Sequence, residues 1–119
     1  VFLIPPTTPN ERIADIAQRT AAGPGGFIYC ISLSGVTGSR NELSPHLHSF
    51  LERVRRYTSD KNIPLAVGFG LSKPEHIAAV TSLVEGAVVG SALVNLIDQF
   101  QEGEQAQAVK SYIESLRGK

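Results

Sequence analysis

The chain contains no methionine and no tryptophan, and its only cysteine is Cys30. One thiol cannot build an internal disulfide framework or a cysteine-rich zinc site, so reducing surroundings are allowed. No sign of charge is in excess: 11 Lys and Arg balance 11 Asp and Glu, with 3 His besides. A formal charge of zero supplies no global field to hold nucleic acid or an anionic membrane. Long hydrophobic runs are missing too. The most apolar stretches, residues 66–71 and 86–94, are too short and too glycine-rich to span a bilayer. No basic segment leads into an apolar run, so no secretory signal is visible. The expectation is a cytoplasmic protein without nucleic-acid or membrane partners. The 119 residues suit one domain able to bury a core. They fall far short of the roughly 250 of a complete eight-fold β/α barrel. The chain opens at Val1, inside an apolar run and without an initiator, which points to a piece of a longer product.

Apolar residues at 42% and charged residues at 18% describe a chain that folds rather than one that stays disordered. Its punctuation is regular. Residues 1–4 form a short apolar run stopped by Pro5 and Pro6, which predicts a strand. Thr8, Pro9 and Glu11 have the spacing of a capping box, ahead of Ile13, Ile16 and Ala17 at helical intervals. Residues 27–32 are a β-branched and aromatic run of strand length. The loop 33–43 follows, and Ser44-Pro45 opens a helix bearing Leu47, Phe50, Leu51 and Val54, with Arg53, Arg55 and Arg56 complementing its C-terminal dipole. The third unit has a strand at 63–69, a turn at Gly70-Leu71, and a second capping box at Ser72–Glu75 before Ile77 and Val80. The fourth has a strand at 86–89 and a helix opened by Gly90-Ser91. After a polar break at 101–103 comes a last helix with Val109, Tyr112, Ile113 and Leu116. Four β-α units with near-continuous apolar strands predict an α/β fold with a parallel sheet, in one domain spanning residues 1–119.

Parallel α/β proteins gather ligands at the C-terminal ends of their strands. Gly90-Ser91 follows a strand and opens a helix, so backbone N–H groups, the positive dipole end and a hydroxyl converge there, as a phosphate requires. Gly68-Phe69-Gly70 ends the preceding strand and could add backbone donors. The plain reading is a pair of tight turns that need glycine for steric reasons alone. The loop from Ser34 to Asn41 has hinge glycines and hydroxyls and is either a lid or a simple connection. Tyr29 either lines a site or packs in the core, with Cys30 on the opposite face of its strand as a small buried hydrophobe. His46 and His48 lie on different faces of one helix, which disfavours a shared metal, and they and His76 read as solvated helix starts. Glu11, Asp15, Glu52 and Glu75 read as caps and solvated faces, and no carboxylate sits at a strand end to move a proton.

The segments together resemble one family. Residues 27–38, ending in Ser-Gly-Val-Thr-Gly, are similar to the sixth strand and following loop of the tryptophan synthase alpha chain. Residues 64–76, with Gly-Phe-Gly, resemble its seventh strand; residues 86–94, with Gly-Ser-Ala, its eighth strand and short phosphate helix; residues 2–9, the end of its fifth. The resemblance implies the C-terminal half of a (β/α)8 TIM barrel, strands 5 to 8, present as four parallel β-α units. It implies a lyase of tryptophan biosynthesis that cleaves indole-3-glycerol phosphate to indole and glyceraldehyde 3-phosphate. Gly38, Gly70, Gly90 and Ser91 match the family's phosphate-binding positions, Tyr29 and Phe69 match aromatics lining the substrate, and Thr37 matches a lid threonine that supports catalysis. The family's two catalytic carboxylates come from its second strand and the loop after it, upstream of the matched segments, so this chain alone is expected to be inactive. No cofactor or metal is implied for it; pyridoxal phosphate belongs to the partner beta chain. The other reading is a non-catalytic half-barrel that binds phosphate and self-associates, since exposed sheet edges invite pairing.

Overall fold

The computed structural model describes residues 1–32, 44–68, 70 and 73–118. The apolar runs become four short strands: β1 (Phe2–Ile4), β2 (Ile28–Ile31), β3 (Leu65–Gly68) and β4 (Gly86–Val88). They pair in parallel in chain order, β1-β2-β3-β4. The helices are α1 (Asn10–Ala22), α2 (Pro45–Thr58), α3 (Pro74–Thr81), α4 (Ser91–Gln99) and α5 (Gln105–Leu116), with one 3-10 turn at Ser59–Lys61. This is the arrangement of half a (β/α)8 barrel. Among the described residues no helix is long and apolar enough to cross a membrane.

Strand side chains alternate between two faces. Ile4, Ile28, Cys30, Leu65 and Val67 face the helix layer and are buried with Ile13, Ile16 and Ala17 of α1, Leu47, Phe50, Leu51 and Val54 of α2, and Val80 of α3. Burial pushes the Cys30 thiol up to about 12, against a smaller pull from the Arg55 charge, so it stays protonated and inert. Leu3, Tyr29, Ile31 and Ala66 point to the opposite face, where among the described residues they are exposed or half-buried.

The helix starts differ in part from their sequence signatures. Ser44 caps α2 as expected, its Oγ accepting from the Leu47 N–H at 3.2 Å. The Thr8–Glu11 box does not form. Thr8 is buried in a turn, its N–H donating to the Pro5 carbonyl at 3.1 Å, and Pro9 becomes the N-cap. At α3 the N-cap is Lys73, and the His76 Nδ1 accepts from its N–H at 3.3 Å. His76 is therefore buried, not solvated. The Ser72 end of that expected box lies outside the described residues.

One long-range latch closes the end of the sheet where the strands begin. The Glu85 N–H donates to the Leu65 carbonyl at 3.0 Å, and its carboxylate accepts from the Leu65 N–H at 2.8 Å. Arg55 of α2 donates through one nitrogen to that carboxylate at 3.0 Å and to the Leu83 carbonyl at 2.9 Å. Partial burial raises the Glu85 pKa, but the hydrogen bonds from Arg55 and the backbone, with the Arg55 charge, outweigh it and hold the carboxyl below its ordinary 4.5. The latch is thus at full strength above pH 4.5 and is lost as pH falls through the lower folded value. Replacing Glu85→Ala is expected to cost about 1–2 kcal/mol near neutral pH, a figure kept small because the carboxylate is half exposed. Chemical denaturation across pH checks this: the gap between native and variant chains should narrow in acid.

Candidate functional site

The register of β3 and β4 decides what meets at the ligand-binding end. Ala66, Val67 and Gly68 lie opposite Gly86, Ala87 and Val88. Two residues beyond the last pair come Gly70, after β3, and Gly90, after β4, so both glycines follow neighbouring strands at the same end of the sheet. Gly70 has φ +69°, in the left-handed region that disfavours a side chain. Gly90 has φ −120°, which any residue adopts. Among the described residues, a Cβ at either glycine would meet nothing within 4 Å. Ser91, exposed, begins α4, whose first turn carries no acidic residue. The first N–H groups of a helix have no partner inside it, and the dipole end is positive. The arrangement can receive an anion through backbone donors and one hydroxyl.

Tyr29 stands on the open face of β2, half-buried. Its ring leans over β3 at Gly68. A Cβ placed there would collide with the Tyr29 hydroxyl and come within 3.2 Å of two ring carbons. Gly68 thus makes room for an aromatic, a role that requires the cross-strand geometry to be seen. Thr37, Gly38 and Phe69, the other expected site residues, lie outside the described residues.

Sequence reasoning missed Arg53. Instead of only complementing the α2 dipole, it reaches back to the turn between β1 and α1. Its guanidinium donates to the carbonyls of Pro6 and Thr8, each at 2.7 Å, and to Asn10 Oδ1 at 3.0 Å, and it lies 5.9 Å from the Phe50 ring centre. The turn after β1 is therefore clamped at the same end of the sheet as the glycine turns. No local pattern signals a contact between residues more than forty apart in sequence.

Among the described residues, carboxylates do not converge on this end. Glu85 is at the opposite one. Glu11 and Glu75 occupy the first turns of α1 and α3, closer to the strand ends than their helical positions suggested, but both are exposed. His48 pairs with Glu52 at 3.3 Å on the exposed surface of α2. Among the described residues no three His, Cys, Asp or Glu side chains group as metal ligands.

The family model for the tryptophan synthase alpha chain matches residues 1–118. The chain belongs to the tryptophan synthase alpha chain family. It is 48% identical over 118 residues to the tryptophan synthase alpha chain of Roseiflexus castenholzii, covering 99% of this chain and 42% of that one. It is 37% identical over 99 residues to that of Methanocaldococcus jannaschii, covering 83% of this chain and 33% of that one. Among solved structures, the tryptophan synthase a2b2 complex of Pyrococcus furiosus matches with a TM-score of 0.78 and 38% identity, covering 99% of this chain and 45% of that one. The chain spans less than half the length of these relatives.

In this family member the packing of Tyr29 on Gly68 is open to direct test. Gly68→Ala is expected to destabilise the fold by about 1–3 kcal/mol through overpacking. Adding Tyr29→Phe, which removes the colliding hydroxyl, should return part of that loss. A double-mutant cycle by chemical denaturation reads the coupling; strictly additive losses would mean that the ring simply swings away.

Proposed function

We propose that the chain is the C-terminal half of the family's barrel, strands 5 to 8, and supplies its phosphate-binding side. Gly70, Gly90 and Ser91 hold the phosphate of indole-3-glycerol phosphate or of glyceraldehyde 3-phosphate, joined by Gly38. Tyr29 and Phe69 border the carbon skeleton, and Thr37 belongs to the loop that closes over it. The observation that carries this reading is the register of β3 and β4, after which come two glycines with no described neighbour at their Cβ positions and a helix start without an acidic residue. Membership of the family supports this choice of substrate class.

The reaction proposed for the whole protein is the lyase step that releases indole and glyceraldehyde 3-phosphate. This half contributes binding energy and orientation rather than proton transfer. Cleavage of the carbon–carbon bond needs a group to move a proton at the substrate, and among the described residues no buried carboxylate faces the strand ends. The missing acid and base are assigned to other parts of the barrel. The beta chain, with its pyridoxal phosphate, is the partner proposed for the whole protein; the Pyrococcus relative is described as an a2b2 complex.

Titration of the purified chain with inorganic phosphate and with glyceraldehyde 3-phosphate, followed by NMR, tests the site. Saturable binding is expected, with shifts centred on residues 70 and 90–93. Ser91→Ala should weaken it several-fold, as the loss of about 1 kcal/mol implies, and Gly90→Asp should abolish it by filling the space with negative charge. No release of indole is expected from the chain alone. Binding unaffected by Gly90→Asp would place the phosphate elsewhere.

A further inference from the structure

The strand ends differ in their chemistry. After β3 and β4 come glycines and a helix start, which offer N–H donors. The turn after β1 offers none where it begins, because Pro5 and Pro6 carry no N–H. Its acceptors are engaged as well. The Pro5 carbonyl accepts from the Thr8 N–H at 3.1 Å, and the Pro9 carbonyl accepts from the Arg12 and Ile13 N–H groups at 3.1 Å each. The carbonyls of Pro6 and Thr8 are taken by Arg53. What the turn presents is pyrrolidine ring, and both prolines are exposed. Pro5 continues the alternation of β1 onto the face of Leu3, the face that carries Tyr29 on β2.

The clamp suits a guanidinium. Nη1 of Arg53 donates to the Thr8 carbonyl and to Asn10 Oδ1, and Nη2 donates to the Pro6 carbonyl. A planar fork reaches acceptors on separate residues at once, which an ammonium on a flexible stem does less well. The side chain is half-buried against Phe50, and among the described residues it has no carboxylate partner. Its hydrogen bonds therefore go to the turn and not into an ion pair. Arg53 approaches from the helix layer, so the two carbonyls it holds aim there and away from the Tyr29 face.

We infer that Arg53 is a positioning residue for the apolar end of the site: by holding the Pro6 and Thr8 carbonyls toward α2, it presents the proline turn as a wall for the ring of a phosphorylated aromatic substrate. The inference rests on the phosphate reading. With the phosphate after β3 and β4 and Tyr29 of β2 along the carbon skeleton, the strand order carries the far end of the substrate to β1. Arg53 touches no substrate and acts through the turn. Without it, both carbonyls turn back to water and set acceptors beside an apolar ring, where an unpaired acceptor is costly.

Titration of the purified chain with glyceraldehyde 3-phosphate and with indole-3-glycerol phosphate, read by NMR, separates the two ends. The longer ester is expected to bind the parent chain more tightly and to shift Thr7 and Thr8, which the shorter one leaves alone. Arg53→Met keeps an unbranched stem against Phe50 but donates nothing. It should weaken indole-3-glycerol phosphate about tenfold and leave glyceraldehyde 3-phosphate unchanged. Arg53→Lys, which keeps stem and charge and so protects the fold, should weaken the longer ester about threefold. Hydrogen exchange at the Thr8 amide should quicken in both variants. A brace that serves stability alone would lower both affinities in equal proportion or neither, and either result overturns the inference while the phosphate reading stands. So would equal affinity of the two esters for the parent chain, or an unchanged Thr8 exchange rate. Failure of both esters to bind the parent chain overturns the phosphate reading and this inference with it.

Discussion

Strand β3 is the constraint on which the rest of the molecule hangs. It is hydrogen-bonded in parallel to β2 on one side and β4 on the other. Its two core-facing residues, Leu65 and Val67, are almost wholly buried. Parallel pairing leaves no freedom to slide, because a shift of one residue would turn Leu65 and Val67 out of the core. The same register sets both ends of the sheet. At the beginning, Leu65 meets Glu85 and through it Arg55. At the far end, Gly68 receives the Tyr29 ring, and Gly70 and Gly90 follow neighbouring strands.

The sheet is two-faced in a way that separates stability from function. The helix side is a continuous apolar layer in which even the lone thiol is inert. The opposite side carries Leu3, Tyr29, Ile31 and Ala66, exposed or half-buried among the described residues. The polar contacts that brace the frame come from α2. Arg53 clamps the turn after β1, and Arg55 ties the β3–β4 end through Glu85 and the Leu83 carbonyl. Two arginines two residues apart on one helix thus brace opposite ends of the sheet, because they point to different sides of the helix and toward different loops.

Much of this was legible in the sequence. The four β-branched runs, the Ser44-Pro45 and Gly90-Ser91 helix starts and the break at 101–103 are local signals, and each has its element. That the turns after β3 and β4 lie at one end of the sheet could be anticipated from regular β-α units, since units of similar plan end at similar heights. What failed were signatures that compete with tertiary contacts. Thr8 reads as a cap, but its turn is claimed by the Pro5 carbonyl and by Arg53. His76 reads as solvated, but it folds back onto the start of α3 and is buried. Arg53 reads as a dipole partner, and its real contacts lie more than forty residues away.

The sequence by itself determined the order of the elements, the parallel α/β class and the family. These rest on periodicity, capping chemistry and ordered motifs, all of which act over a few residues. Only the tertiary structure decided which face of each strand is covered, that Gly68 makes room for Tyr29, and that Arg53 and Arg55 brace opposite ends of the sheet. Those facts depend on strand register and on the right-handed placement of each helix beyond its strand. Such relations join residues distant in the chain and leave no trace in its local pattern.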